Sequence, residues 1–439
     1  MNIAFISPIA WDNSGGAHRP VQFAQELARR GHAVTYVEIE KSRAPLPDTN
    51  PRVLNFQTLG WDDVNFLRAW YGLEYASPAD AAARLVAQLP SASAQNIVVC
   101  LAPFRPALEL LPALTARGYA LVYDVLDDIS EMRALGAYCY DDLAEQYLAR
   151  HADLIVTLSP RLTKKFRAQK NVQMIRDGVD LTPFQNPAPL QHTPITRGEL
   201  TIGFWGTMWE YNLDLALVQN ITRARPDWQW HFIGAYDLDP ARPSLAAQLN
   251  APNVHFHPSV ARSVLAQYAQ NFDVCILPTP VTPFNLARDP LKVYEYLACD
   301  KPVVATNLEQ LAGMPYVSLA RDAAEFLQYI ERAARVSIER AARVSIDRAE
   351  LDAYLREQTW AKRTDALERA IETVSAHARE IPSPPRGAMP HAQNELDRAQ
   401  AYAQHLERLV RDHDTHIRAL QDALAQSGIA SKIKRALRP

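Results

Sequence analysis

The chain has 439 residues, 48% hydrophobic and 22% charged, with a net charge of −3. This is the composition of a soluble globular protein, too long for one ordinary core and therefore built from two or three domains. It excludes the basic footprint of a nucleic-acid binder, and no apolar run reaches the roughly 18 residues of a membrane span. Cys100, Cys139, Cys275 and Cys299 are isolated, with no CxxC pair or metal-ligand spacing; Cys100 and Cys275 read as core residues, and the usage fits a reducing compartment. A strand-like run begins at Asn2 and leaves no room for a signal peptide. The expectation is a cytoplasmic protein that meets a membrane only from its surface.

Residues 3–6 read as a strand, 20–30 as a helix and 33–37 as a second strand, followed by strands at 97–101, 121–123 and 154–157. Apolar runs alternating with amphipathic stretches are the pattern of βαβ units and a parallel sheet. The periodicity stops near 183–199, where Pro183, Pro187, Pro189 and Pro194 mark a linker. It then restarts with strands at 201–204, 228–233, 254–257, 273–277 and 303–305. Two such series predict an α/β fold of two doubly wound parallel-sheet domains, which bind ligands at the carboxyl ends of their strands. From Ala323 to about Ala376 the pattern is that of continuous helix, extended by a tandem duplication of ERAARVSI at 331–338 and 339–346.

A last helix at 394–427 carries an apolar seam through Leu396, Ala399, Ala403, Leu406, Val410, His413, Ile417, Leu420 and Leu424. This 3-4 spacing predicts a coiled coil and a homo-oligomer, or else a helix folded back on the protein's own surface. The tail at 428–439 contains Lys432, Lys434, Arg435 and Arg438 and no acid. It is either a solvated end or an attachment to an anionic membrane surface.

Three segments carry candidate chemistry. Gly15-Gly16-Ala17-His18-Arg19-Pro20 joins the first strand to the first helix, where glycines admit a ligand and the helix start offers unpaired N–H groups to an anion; a plain turn is the alternative. Asp127 and Asp128 follow a strand's carboxyl end. They read as groups that orient or deprotonate an acceptor, or as caps of the next helix. The third segment runs from Asn285 to Thr306. Arg288 and Lys292 at a helix start suit a diphosphate, and Glu295, one turn in, suits the hydroxyls of a ribose; the alternative for Lys292 and Glu295 is a solvated surface pair.

Pro290-Leu291-Lys292-Val293-Tyr294-Glu295-Tyr296-Leu297-Ala298, followed by Lys301-Pro302-Val303-Val304, resembles the donor signature of GT-B glycosyltransferases of the group 1, family-4-like type, in its Pro-x-Lys-x-x-Glu-Tyr variant. Gly15-Gly16 with Arg30-Gly31-His32-Ala33-Val34 is similar to that family's N-terminal block, as are Asp153-Leu154-Ile155-Val156 with Ser159 and Leu162 to a later one. Asp177-Gly178-Val179-Asp180 with Phe184 resembles its entry to the linker. Ile202-Gly203-Phe204-Trp205-Gly206 resembles the first strand and glycine turn of its donor domain, and Trp360 the start of its crossing helix. The resemblance covers about residues 1–375. It departs in three places: Ala287 stands where the first glutamate of E-x7-E is usual, the Arg and Lys that commonly follow the Gly206 turn are missing, and Asp177 replaces asparagine.

The resemblance implies a GT-B organisation: an acceptor domain at 1–185, a linker at 186–199, a donor domain at 200–350, a crossing helix at 351–376 and a second linker at 377–393. It implies a retaining glycosyltransferase of surface polysaccharide biosynthesis, moving a sugar from a nucleotide-diphosphate sugar to a saccharide or lipid-linked acceptor, with no metal and no cofactor. Asp127, Asp128 and His18 are the implied catalytic residues; Gly15, Gly16, Gly206, Arg288, Lys292 and Glu295 are the implied donor-binding ones. A sugar-nucleotide epimerase or hydrolase and a non-catalytic assembly protein are the alternative readings.

Overall fold

The structure, a computed structural model, describes residues 1–12, 18–39, 50–55, 81–90, 95–134, 142–184, 195–236, 244–342, 346–374, 377 and 379–384. Gly15, Gly16, Cys139, the coiled-coil helix expected at 394–427 and the tail at 428–439 lie outside these residues.

Strands β1 (Asn2–Ser7), β2 (Ala33–Glu38), β3 (Arg52–Asn55), β4 (Asn96–Cys100), β5 (Tyr119–Val125), β6 (Leu154–Thr157) and β7 (Val172–Met174) form a seven-stranded sheet in the order β3-β2-β1-β4-β5-β6-β7. Strands β8 (Thr201–Trp205), β9 (Gln229–Ile233), β10 (Val254–His257), β11 (Val274–Leu277), β12 (Val303–Thr306) and β13 (Val317–Ala320) form a second sheet in the order β10-β9-β8-β11-β12-β13. Every pairing is parallel. Helices cover both faces, so the central strands are buried throughout, and Asn96–Cys100 and Tyr119–Val125 have no exposed position. The strand order reverses between β1 and β4 in one sheet and between β8 and β11 in the other. These are the switch points where doubly wound sheets open a crevice.

The chain crosses between the domains at two adjacent passes. Val179 N–H donates to Gln358 O at 2.9 Å, and Val179 bridges Thr359 in parallel. Gly178 is required there, because a Cβ would lie 2.8 Å from the backbone N of Trp360.

The continuous helix expected from Ala323 to about Ala376 is helical over Ala323–Ala342 and Ile346–Arg356, residues 343–345 lying outside the described ones, and breaks before a further helix, Trp360–Glu372. The first packs on the second sheet through Phe326, Ile330 and Ala334. Leu351 and Leu355 of the next helix still pack in the second domain. Crossing occurs at the turn before Thr359, whose hydroxyl accepts from the N–H of Lys362 and caps the last helix. That helix packs on the first domain through Trp360, Leu367 and Ile371, with the Trp360 ring edge-on to Phe23 at 5.5 Å.

The glycine stop after the first helix helps to seat this returning helix. Gly31 has φ +88°, and on either side of it Arg30 pairs with Asp365 at 2.8 Å and His32 meets Glu368 at 2.6 Å. Residues 379–384, expected within a linker, run over the first domain: Arg379 pairs with Asp153 at 2.8 Å, and Tyr147 Oη donates to Pro382 O at 2.7 Å. Among the described residues no helix is long and apolar enough to cross a membrane.

Candidate active site

The carboxyl ends of the two sheets face each other across a cavity of about 250 Å³, lined by both domains. The first domain contributes His18, Arg19, Asp127 and Asp177, and the second Asn212, Thr279, Asn285, Arg288 and Lys292.

At the floor of the second domain the strand ends step upward through glycines. Gly206 N–H donates to Ile233 O and Gly234 N–H to His257 O. Gly206 has φ +136° and Gly234 φ +140°, conformations that side chains rarely adopt. A Cβ on Gly206 would sit 1.9 Å from Lys292 Cε, and one on Gly234 would sit 2.2 Å from Gly206 O. The turn is bare so that the lysine stem can lie across it.

Lys292 has no hydrogen-bond or ion-pair partner among the described residues. Burial, with the nearby Arg288 charge, brings its ammonium down to about 8 against the opposing pull of Glu295. Arg288 is braced between domains: Nη1 donates to Asn212 Oδ1 at 2.9 Å, Nε stands 3.5 Å from Asp127 Oδ1, and the guanidinium lies 5.0 Å from the Phe284 ring centroid. Two cations, one without a partner carboxylate among the described residues, therefore line the cavity. That combination attracts an oxyanion such as a diphosphate.

His18 is the N-cap of the helix Arg19–Arg29. Burial, and then Arg288, hold its imidazole below the ordinary range, toward the neutral form. Asp127 faces Arg288 across the cavity; burial raises its carboxyl against the pull of Arg288. A carboxylate with raised affinity for a proton, beside a cavity, is placed to accept one.

Asp128 is turned away from the cavity. It pairs with Lys165 at 2.7 Å, accepts from Ser130 Oγ at 2.6 Å, and its carbonyl receives the N–H groups of Glu131 and Met132. Its carboxyl is held below the ordinary range by Lys165 and Ser130, which outweigh burial. Of the two adjacent acids, the structure gives Asp127 the cavity and Asp128 the start of the following helix.

Glu295 does not line the cavity. Its carboxylate accepts from Trp205 Nε1 at 2.9 Å and from Arg262 Nη2 at 2.8 Å, and its side chain is 8% exposed. Each oxygen keeps a free lone pair. Two donors thus hold the carboxylate for which a ribose contact was expected, and hold it behind the cavity lining.

Three consecutive residues of the donor segment grip the first domain. Ala287 O accepts from Ser159 Oγ at 2.7 Å, Arg288 meets Asp127, and Asp289 is held at both oxygens. Arg176 Nη2 lies 3.0 Å from Asp289 Oδ1, Asp177 N–H donates to Oδ2 at 2.9 Å, and Tyr294 Oη stands 3.2 Å from each oxygen. Ala287 is fully buried and packs with the first domain's apolar cluster. A glutamate there would lie in this seam rather than in the cavity, which accounts physically for its absence.

Sequence reasoning passed over Arg19. Its Nε donates to both oxygens of Asp124, at 2.9 and 3.1 Å, and its Nη1 reaches Asp177 and the carbonyl of Arg176, each at 3.2 Å. Burial opposes its charge, but Asp124 and Asp177 outweigh it and raise its pKa. This buried ion pair fixes the end of β5, three residues before Asp127. Asp289 and Gly234 were also missed. The glycine turn after β9 was the one sequence signal that pointed to Gly234.

Residues 199–335 match the sequence profile of the family described as Glycosyl transferases group 1. A protein of Bacillus subtilis (strain 168) named as a teichuronic acid biosynthesis glycosyltransferase, TuaH, is 29% identical over 183 residues, 40% of this chain and 46% of the relative. The chain therefore matches less than half the length of that curated relative. Among solved structures, sucrose-phosphate synthase of Thermosynechococcus elongatus superposes with a TM-score of 0.58 at 17% identity, covering 84% of this chain and 99% of the other. Anabaena HepE in complex with UDP and glucose superposes with a TM-score of 0.57 at 13% identity, covering 85% and 99%.

The chain has the GT-B fold, and its residues 199–335 match the group 1 glycosyltransferase family.

Its two parallel sheets are the two Rossmann-like halves of that fold, and its group 1 domain is the half that carries Gly206, Arg288, Lys292 and Glu295.

Proposed function

We propose that the chain transfers a sugar, with retention at the anomeric carbon, from a nucleotide-diphosphate sugar to a hydroxyl of a saccharide or lipid-linked acceptor in surface polysaccharide synthesis. The observation that carries this reading is the cavity between the two switch points, where Arg288 meets Asp127 and Lys292 has no partner among the described residues. HepE, solved with UDP and glucose, supports the donor class, and the TuaH relative supports the polysaccharide. A trehalose-6-phosphate synthase studied for glycosyl transfer with retention has the same fold and supports the stereochemistry.

In this mechanism the diphosphate lies against Lys292 and Arg288, which stabilise the charge that develops as the bond to the sugar breaks. The bare Gly206 turn lets the phosphates approach the backbone, and Glu295 holds the ribose. Asp127 orients the acceptor hydroxyl and takes its proton as it attacks on the face from which the diphosphate departs. His18, neutral at physiological pH, hydrogen-bonds the acceptor or the diphosphate, and Gly15 and Gly16 admit the sugar. Most of the acceleration comes from positioning.

The test is thermal stabilisation by UDP, GDP, ADP and dTDP and by their sugar esters, with Glu295→Ala alongside. At ~100 times the dissociation constant a ligand adds about 2.7 kcal/mol. A shift confined to one base and weakened in Glu295→Ala is expected. No shift with any of them would overturn the proposal and favour a non-catalytic role.

A further inference from the structure

Asn285 lies in the short helix Pro283–Leu286, two residues before Ala287. It lines the cavity and is 2% exposed. Both of its amide hydrogens are spent: Nδ2 donates to Tyr211 O at 2.7 Å and to Pro280 O at 2.9 Å. This fixes which way the amide faces, because a flipped amide would set its oxygen against two carbonyl oxygens. Oδ1 is left buried without a partner among the described residues.

The backbone around it is equally fixed. Its N–H donates to Thr282 Oγ1 at 3.3 Å, while Gln310 Nε2 donates to Asn285 O at 2.7 Å and to Arg288 O at 3.0 Å. Gln310 Oε1 is also unpartnered, but Gln310 does not line the cavity.

A rigid amide oxygen with no donor of its own is selective. It can only accept, so it suits a ligand group that carries a hydrogen and disfavours phosphate oxygens, which carry none at neutral pH. The cations that suit phosphate, Arg288 and Lys292, stand three and seven residues further along the same segment. The geometry points to Asn285 Oδ1 as the acceptor for a hydroxyl of the donor's sugar, a sugar contact that a residue other than position 287 supplies. This inference rests on the nucleotide-sugar reading above. It places a neutral polyhydroxylated sugar face, rather than a charged group, at Asn285.

The experiment compares, by calorimetry, the affinity of wild type and Asn285→Ala for a nucleoside diphosphate and for its sugar ester. The pair used is the one with the largest sugar increment among UDP, GDP, ADP and dTDP and their glucose, galactose, mannose and N-acetylglucosamine esters. The variant should bind the bare diphosphate within about twofold of wild type, which also shows that it is folded, and the sugar ester about tenfold more weakly. A second arm uses wild type with monodeoxy analogues of that sugar ester. One analogue should lose about the same tenfold and should bind Asn285→Ala no worse than the parent ester does.

Equal loss for diphosphate and ester would overturn the inference, and so would purely additive effects for every deoxy analogue. An unchanged sugar increment in the variant would sink it while leaving the donor reading intact. Failure of wild type to bind any nucleotide in the set would end both.

Discussion

Replacing Gly206 with alanine tests the floor of the cavity. The new Cβ would stand 1.9 Å from Lys292 Cε, 2.8 Å from Nζ and 3.2 Å from Cδ. An L residue held near φ +136° costs about 1–3 kcal/mol. The clash itself is relieved by swinging the end of the lysine away, which removes the ammonium from the cavity. At about 2–4 °C per kcal/mol for a domain of this size, the melting temperature should fall by about 2–12 °C. A charge-assisted hydrogen bond is worth about 1.5–3 kcal/mol, so affinity for the diphosphate should fall about 10- to 150-fold. Melting and calorimetry on Gly206→Ala, Lys292→Ala and the double variant separate the two effects. The double variant should bind no more weakly than Lys292→Ala alone, yet keep the part of the stability loss that comes from the backbone. Unaltered binding by Gly206→Ala would refute the placement of Lys292. A full further loss in the Lys292→Ala background would show that Gly206 acts by some other route.

Because the Lys292 ammonium is brought down to about 8, a bound diphosphate should restore its proton. Calorimetry at pH 8 in buffers of different ionisation enthalpy should report uptake of about half a proton, and affinity should fall as pH rises through 8; heats that do not depend on the buffer would exclude this. His231, 1% exposed beside His255 and His257, is lowered to about 4, by burial first and by the neighbouring histidines next, against the contact with Thr196 O. The folded state thus favours the neutral ring, and the unfolded chain takes up a proton below about 6.5. Stability should be full above pH 6.5 and should decline, by at most about 3 kcal/mol, as pH falls from 6.5 to 4. His231→Gln should flatten that slope in urea titrations, and an unchanged slope would remove His231 as its source. Ending the chain after Gln393 keeps Arg379 on Asp153 but removes the heptad seam. Light scattering should then show a monomer with an unchanged melting temperature, and an unchanged oligomer would clear the seam of that role.

Much of the fold was legible because parallel strands buried on both faces are unbroken apolar runs. The expected strands at 154–157 and 273–277 fall on β6 and β11, every position of which is buried. The strands missed, β3, β7 and β13, lie at sheet edges, where burial no longer writes a pattern into the sequence. The break before Trp360 was not legible because alanine-rich, charged composition runs through positions 346–360 without a strong breaker. The turn at Thr359 is instead set by Val179, far away in sequence. At the site, Arg288, Lys292, His18 and Asp127 could be picked out because each follows a strand or opens a helix. Arg19 and Asp289 could not, because their partners lie more than 100 residues away. Which of Asp127 and Asp128 faces the cavity was likewise decided by Lys165, invisible from the local sequence.

The grip of Ala287, Arg288 and Asp289 on Ser159, Asp127 and Asp177 makes one tripeptide both a wall of the crevice and a clasp between the halves. A ligand that moves Arg288 therefore changes the free energy of closure, and thermodynamic reciprocity requires closure to change the ligand's affinity by the same factor. A ligand that bears on Arg288 should therefore be coupled to the contact between the two halves. A substitution in the first domain that touches no ligand, Ser159→Ala for example, should then alter the affinity of the second.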